Sequence, residues 1–346
     1  MVMCELFQER ELLFQFAMPA PAMASPAPSR LTIRKTETHK PLRRIDSLEF
    51  SQRNVDQYKH DAVSPVKSNP APNEGETVQT LLSGNGLPRS ERLVLLSHAL
   101  GMRREALHTH PELVVSAGIA ARFHQLIERR RTGEPIAYLV GWREFFGVDL
   151  RVTPDVLIPR PDTETLVEAA LRRISQTAPM RVLDVGSGSG AIAIALASLR
   201  PSSIVEGVDI SDAAVEVGTQ NASRLGLANV KFRRSDWYGG CARADYDVIV
   251  SNPPYIAGDD PHLTMGDLRF EPALALTPGT DGLAAIRLVI AGAGDHLIAH
   301  GWLLIEHGYD QAEASRALMA SAGFESVVTI RDLGGNERVC EGRWPG

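Results

Sequence analysis

Asn252-Pro253-Pro254-Tyr255 stand directly after the apolar stretch YDVIVS, which reads as a buried strand. Two successive prolines lack N–H donors and fix φ, so neither a sheet interior nor a helix continues through them. The chain therefore leaves a strand into a stiff corner that carries a side-chain amide and an aromatic ring but no acid or base. That combination suits a planar amino or amide nitrogen as the target. Such a nitrogen has a delocalised lone pair, and no ordinary side chain deprotonates it near neutral pH. Catalysis on it must come from positioning. The Asn252 side-chain oxygen and the Pro253 carbonyl can each accept one N–H, while Tyr255 stacks on the plane and helps exclude water. The corner fits methylation of that nitrogen. The bland alternative is a proline turn with incidental neighbours.

An electrophile must then be bound nearby. In LDVGSGSGAI, Asp184 ends an apolar strand, and Gly186, Gly188 and Gly190 form a turn into a helix. Glycines there let the backbone approach a ligand closely, and the helix start presents N–H groups. G-x-G-x-G is a weak signal alone, and it departs from the dinucleotide fingerprint, whose third glycine falls here at Ala191. The alternative is a tight turn without a ligand. Asp209 ends the next strand, 19 residues beyond Gly190, where a carboxylate accepts ribose hydroxyls. Its alternative is a helix-capping acid, since Ser211 and Asp212 follow. Ser235-Asp236-Trp237 close a third strand, where an acid or amide can meet an adenine amino group and Trp237 can pack on the ring; their alternative is a surface turn with a core Trp, and their place at the C-terminal edge of the sheet favours the first.

The positioning elements follow from periodicity. After Asp162 the chain alternates helix and strand: TETLVEAALRRISQ, MRVLDVG, SGSGAIAIALASLRP, SIVEGVDIS, DAAVEVGTQNASRLG, VKFRRSD and YDVIVS. LAAIRLVIAGAGDHLIAHG reads as a helix, WLLIEHG as a strand, QAEASRALMASAG as a helix, and ESVVTIRDLGGNERVCEGRW as a closing hairpin. This order predicts an α/β fold with a parallel sheet covered on both faces. Upstream, SERLVLLSHALG predicts a helix capped by Ser90 and stopped by Gly101, and REALHTHPE and AGIAARFHQLIERRRTG predict two more. Residues 77–133 form a small helical domain and 134–161 a hairpin linker, leaving 162–346 for the α/β domain. Residues 1–76, rich in Pro, Ala and Ser at both ends, read as a disordered extension or a start placed too early. The acids Glu5, Glu9 and Glu11 speak against a transit peptide.

Composition narrows the classes. At 44% hydrophobic and 23% charged the chain is that of an ordinary globular protein, and it lacks the apolar run a membrane span needs. Cys4, Cys241 and Cys340 are scattered and read as reduced thiols of a cytoplasmic protein, with neither a metal site nor a disulfide framework. Residues 1–76 hold ten acids and ten bases, so the net charge of −6 belongs to the remainder. An acidic body is a poor partner for bulk nucleic acid.

Together these residues resemble the class I S-adenosylmethionine-dependent methyltransferases that modify amino or amide nitrogen. GEPIAYLVGWREFFG, LIPRPDTE (157–164), SNPPYI, DLRFEP (267–272), LLIEHG and GGNERV resemble the HemK/PrmC family, the peptide chain release factor glutamine methyltransferases. The resemblance covers residues 78–346. It implies a seven-stranded, mostly parallel Rossmann-like methyltransferase domain behind a helical substrate-recognition domain and a hairpin linker. It implies S-adenosylmethionine as methyl donor and the glutamine of the Gly-Gly-Gln loop of class I release factors as acceptor. Cofactor contacts would come from Gly186, Ser187, Gly188, Ser189, Gly190, Asp209, Trp237 and Asn252. Asn252, Pro253, Pro254 and Tyr255 would hold the glutamine, with Asn252, Pro253 and Tyr255 as the catalytic set and Phe145, Phe146, Arg160 and Glu164 lining the pocket.

Rival readings stay open at this point. An adenine-N6 nucleic-acid methyltransferase shares the proline corner but needs base flipping and a basic cleft. A ribosomal-protein glutamine methyltransferase carries the same corner. A binding scaffold without turnover would not need Asn252, Asp209 and the glycines intact. His108 and His110, two apart, read as a helix end on the surface rather than a metal site. Glu306-His307 reads as a strand-end turn near the cofactor rim, with acid–base work as its alternative, and the basic run 128–133 as a solvated helix end that could touch a partner.

Overall fold

The computed structural model describes residues 75–84 and 86–346. The expected extension 1–76 and Cys4 therefore lie, up to residue 74, outside the described residues. All the described residues fall in one compact unit, Pro72–Gly346.

Four helices come first: α1 (Val78–Leu82), α2 (Arg89–Leu100), α3 (Arg104–Thr109) and α4 (Ala117–Arg131). They enclose their own apolar cluster, in which Leu81, Leu95, Leu96, Leu107 and Phe123 are fully buried. Gly101 ends α2 in the left-handed conformation that a glycine allows without Cβ strain, as expected. Ser90 is not its cap. The helix begins one residue earlier, with Pro88 as the capping residue and its carbonyl accepting from Arg92 N at 3.1 Å. Proline holds the extended cap conformation with no side-chain hydrogen bond. At the basic end of α4, Arg129 and Arg131 are solvent-exposed, as expected, and pair with Glu134 and Glu128, whereas Arg130 is half-buried and pairs with both Glu91 and Asp267.

The linker begins as a helix, α5 (Ile136–Val140), stopped by Gly141. Its Leu139 joins the helical cluster, whereas Ala137 and Tyr138 pack with Val152, Val156, Ile158 and Val217. This short helix therefore stitches the helical layer to the sheet domain. The expected hairpin follows as β1 (Trp142–Phe145) and β2 (Val148–Arg151), paired antiparallel with Phe145 opposite Val148. Phe146 and Gly147 at the turn both have positive φ, 50° and 77°, the pattern of a tight two-residue hairpin.

The remainder is α6 (Glu164–Arg173), β3 (Arg181–Val185), α7 (Ala191–Leu199), β4 (Ile204–Asp209), α8 (Asp212–Arg224), β5 (Val230–Arg234) and β6 (Tyr246–Ser251). A long connection containing α9 (Ala273–Leu276) leads to α10 (Ala284–Ala293), β7 (Leu297–Glu306), α11 (Ala312–Ser321), β8 (Glu325–Arg331) and β9 (Glu337–Arg343). The expected helix through Gly301 ends at Ala293, and Leu297–Gly301 instead begin β7, with Leu297 paired to Tyr246. The seven strands run in the order β5-β4-β3-β6-β7-β9-β8, and β9 alone is antiparallel to its neighbours. This is the class I methyltransferase fold. α7 is apolar all round and buried from Ala191 to Ala197, as a helix against the sheet centre must be. No described helix is long and apolar enough to cross a membrane.

The strand order reverses between β3 and β6: from β3 the chain steps outward to β4 and β5, then returns to lay β6 parallel to β3 on its other side. Val185 pairs with Val208 of β4 on one side and with Ser251 of β6 on the other. In open parallel sheets the crevice at such a switch point, beyond the carboxyl ends of the strands, is where ligands bind. The glycine turn after β3 and the proline corner after β6 are thereby brought side by side.

Candidate active site

The turn after β3 is shaped by backbone bonds. Gly186 N and Ser187 N both donate to Val208 O at 2.9 Å, and Gly190 N donates to Ser187 O at 2.8 Å. Asp184 is fully buried beneath the turn, and its Oδ2 accepts from Ala193 N in the first turn of α7 at 3.1 Å. Burial pushes its carboxyl up to about 7, partly offset by that amide and reinforced by the charge of Asp209. Its Oδ1 has no partner. Gly190 caps α7 at φ 82°, and a Cβ there would stand 2.6 Å from the Phe232 ring. Gly188, at φ 53°, sends its N–H to Asp209 Oδ2 at 2.9 Å, and a Cβ on it would project into open space. Asp209 Oδ1 accepts from Ser211 N at 2.9 Å, and burial raises this carboxyl too. Each oxygen keeps a lone pair for a hydroxyl donor. Trp237 holds a positive φ of 48°, and Ser235 Oγ donates to its carbonyl at 2.9 Å. Such backbone strain in a non-glycine residue marks a site where the surroundings dictate the conformation.

These groups line a cavity of about 430 Å³. Gly186, Ser187, Gly188, Ser189, Asp209, Ser235, Asp236 and Trp237 form one side, and Arg160, Thr163, Asn252 and Pro254 the other. Gly190 stands behind the wall against Phe232. The volume suits a nucleoside-sized molecule. The donor set fits S-adenosylmethionine: a bare backbone cradle at Gly186 and Gly188, an unpartnered buried Ser187 hydroxyl, and a carboxylate at the end of β4.

A second cavity of about 80 Å³ opens behind the proline corner. Pro253, Tyr255, Ile256, Leu268 and Leu276 line it, and Arg160, Asn252 and Pro254 belong to both cavities. Asn252 Nδ2 donates to Thr163 Oγ1 at 3.1 Å, which leaves Oδ1 as the acceptor at the junction. Tyr255 packs on the sheet core and its hydroxyl donates to Glu306 Oε1 at 3.1 Å. The corner is braced from behind: Gln311 Nε2 donates to Tyr255 O at 2.9 Å, and Gly308 N donates to Gln311 Oε1 at 2.9 Å. Arg160 is held by the buried carboxylate of Glu271, whose other oxygen accepts from Ile158 N at 3.2 Å.

Most of the expected residues converge, and the exceptions are informative. Phe145 is 2% exposed in the main core, and Phe146 packs partly against the same cluster; neither lines a cavity. Glu164 accepts from Phe146 N at 3.3 Å and anchors the hairpin rather than facing either cavity. Glu306 and His307 are both fully buried at the end of β7 under the corner, not on a rim. His108 and His110 are exposed at the end of α3. Sequence reasoning missed Thr163, Glu271 and Gln311. The first two lie inside LIPRPDTE and DLRFEP, so those runs carried the signal, but an acid or hydroxyl beside a proline reads locally as a helix cap.

With this geometry in hand, comparison with known proteins decides the family. Residues 77–141 match the family described as PrmC N-terminal domain, and residues 162–279 match Methyltransferase small domain. A release factor glutamine methyltransferase from Pseudomonas aeruginosa is 49% identical over 273 residues, covering 78% of this chain and 99% of the relative. The relative of the same name from Bordetella pertussis is 50% identical over 266 residues, covering 77% of this chain and 98% of its own. The Escherichia coli relative is 44% identical over 263 residues, covering 76% and 95%. The chain belongs to the release factor glutamine methyltransferase family. Members of this family use S-adenosylmethionine, and the large cavity is where this release factor glutamine methyltransferase chain would hold it. The resemblance read from LIPRPDTE and SNPPYI is borne out.

Proposed function

We propose that this chain transfers a methyl group from S-adenosylmethionine to the side-chain amide nitrogen of the glutamine in the Gly-Gly-Gln loop of class I release factors. The observation that carries the reading is the orientation of Asn252. Its NH₂ is spent on Thr163, so the oxygen is presented where the two cavities meet. An acceptor there, with the Pro253 carbonyl beside it, holds an amide NH₂ by both hydrogens and aims the nitrogen lone pair into the larger cavity.

When bound, S-adenosylmethionine supplies an electrophilic sulfonium methyl that a weak nitrogen nucleophile can displace. Gly186 to Ser189 and Asp209 bind the cofactor by backbone and carboxylate, Gly190 shapes their turn from behind the wall, and Trp237 packs on the cofactor's base. Asn252, Pro253 and Tyr255 grip the glutamine amide, Pro254 stiffens the corner, and Arg160 stands at the mouth of both cavities. The amide proton becomes acidic once nitrogen is alkylated and needs no side-chain base. Phe145 and Glu164 act on this site from behind, through the hairpin. Residues 77–133 recognise the body of the release factor, and 134–161 link them to the methyltransferase domain 162–346. Duplex DNA is not a substrate, no metal takes part, and the protein works in the cytoplasm on translation termination.

The test is methyl transfer from labelled S-adenosylmethionine to three acceptors: a class I release factor, the same factor with its loop glutamine changed to alanine, and unmethylated duplex DNA. Label on the first alone is expected. Label on DNA would mean that the corner grips an adenine amino group instead.

A further inference from the structure

The run Asp267-Leu268-Arg269-Phe270-Glu271-Pro272 lies in the connection between β6 and α10, and four of its side chains each hold a different part of the molecule. Asp267 accepts from Arg130 Nη1 of α4 at 3.1 Å, and Arg130 is itself fixed by both carboxylate oxygens of Glu91 in α2, at 3.0 and 2.9 Å. Arg269 donates to Thr132 O just beyond α4, where a side chain in place of Gly133 would collide with its guanidinium. Phe270 packs against the cluster of Ala137, Tyr138, Val156 and Ile158 that joins α5 to the sheet domain. Glu271 reaches towards the site: one oxygen pairs with Arg160, and the other accepts from Ile158 N at 3.2 Å.

Little of this run can shift by itself. Phe270 N and Glu271 N donate to Asp267 O and Leu268 O, closing a tight turn. Glu271 is extended, at φ −90° and ψ 154°, the conformation that a following proline favours. Its side chain is fully buried, so the carboxylate tolerates its place only with both partners present. Arg160 is different. Pro159 and Pro161 stiffen its backbone, but its side chain is long and 31% exposed at the junction of the two cavities. Such a side chain has many rotamers unless something holds the guanidinium. Glu271 is what holds it. A guanidinium carries five N–H donors in a rigid fork. With Nη2 turned to Glu271, the direction of the other donors is set. They suit an oxygen acceptor in the cavities, either a carbonyl of the substrate loop or the carboxylate of the cofactor.

We infer that Glu271 is a positioning residue for Arg160, and that the run from Asp267 to Glu271 carries the placement of α4 to the junction of the two cavities. The inference deepens the proposed function and rests on it for the methyl acceptor. The helical layer then does more than offer a surface: where α4 sits decides where the Arg160 fork points.

The experiment uses the full chain with a class I release factor and labelled S-adenosylmethionine. It compares wild type with Glu271→Gln, Asp267→Asn, the pair Arg160→Ala/Glu271→Gln and the triple variant that adds Asp267→Asn to that pair. Arg160→Ala alone would leave a buried carboxylate unpaired and endanger folding, whereas the pair removes both charges together. Glu271→Gln is expected to lower kcat/KM for the release factor by about 30-fold, the scale of one charge-assisted hydrogen bond. Asp267→Asn should lower it by about fivefold, the scale of a coupling between neighbours. The pair should be no worse than Glu271→Gln by more than about threefold, and adding Asp267→Asn to the pair should change it by less than about twofold, since no guanidinium remains to be placed. All variants should melt close to the wild-type temperature. In Glu271→Gln, unchanged calorimetric affinity for S-adenosylmethionine with a raised KM for the release factor assigns the acceptor to the substrate loop. Weakened cofactor affinity assigns it to the cofactor's carboxylate, and both results support the inference. A loss from Asp267→Asn that persists in the triple variant, or turnover losses that track a lower melting temperature, would show a merely structural role and overturn it. Labelled wild type with unimpaired Glu271→Gln overturns the inference alone. Unlabelled wild type overturns the substrate reading and the inference with it.

Discussion

The turn after β3 and the corner after β6 are built on the same plan with different materials. Each sits over a fully buried acid, Asp184 in one case and Glu306 in the other, and each acid keeps one oxygen unpartnered. Asp184 holds a backbone amide of α7, whereas Glu306 accepts the side-chain hydroxyl of Tyr255. The first arrangement shapes main chain, and main chain can wrap any ligand with hydroxyls and a flat base. The second arrangement fixes the direction of individual hydrogen bonds, and so selects one functional group. In the proposed reading, affinity for a common cofactor and selection of an amide are divided between two adjacent strand ends.

If this division is real, damage to each side should read out differently. Asn252→Ala has the largest expected effect: turnover should fall by about 10³-fold, the scale of losing a preorganised polar contact, while the protein stays folded and binds S-adenosylmethionine normally by calorimetry. Near-normal turnover in that variant would break the comparison at its centre. Gly190→Ala should do the reverse. A left-handed φ and the nearby Phe232 ring should together lower stability by roughly 2–3 kcal/mol and weaken cofactor affinity, while turnover at saturating cofactor largely survives. Unchanged cofactor affinity would show that the turn does not shape the cradle.

The two acids sharpen the comparison through pH. Both have folded-state pKa values raised to about 7 by burial. A raised carboxyl favours folding while it stays protonated, and that contribution is lost as pH rises from the ordinary carboxylate range through about 7. The cofactor-free protein should therefore melt at a lower temperature at slightly alkaline than at mildly acidic pH. Asp184→Asn should flatten its share of that slope, by roughly 2 kcal/mol. A melting temperature that rises with pH in this window would contradict the burial of both acids.

The turn was legible in the sequence because its chemistry is local. Gly186, Gly188 and Gly190 announce a backbone shape within a few residues, and the strand before and helix after supply the context. Asp209 followed from the spacing of one βα unit. The outer face of the corner was legible too, because two prolines admit few conformations. Its support was not. Thr163 reaches Asn252 across 89 positions, Tyr255 reaches Glu306 across 51, and Arg160 reaches Glu271 across 111. No periodicity encodes such pairs. Phe145 and Glu164 were drawn towards the pocket by resemblance, whereas the alternation of β1 turns Phe145 inward and the hairpin turn claims Glu164. The helix predicted through Gly301 failed where a glycine-rich break let an apolar stretch join the sheet instead. Apolar runs alone do not distinguish the two.

Strand order also has a meaning in time. β7 lies between β6 and β9, and β9 is the last element of the chain. During synthesis the glycine turn and Asp209 emerge while Glu306 and its strand are still to be made. A growing chain can thus assemble the cradle early, but the grip on the amide closes only when the final strands have been delivered. Selectivity for the amide is thus acquired later than the cradle that holds the cofactor.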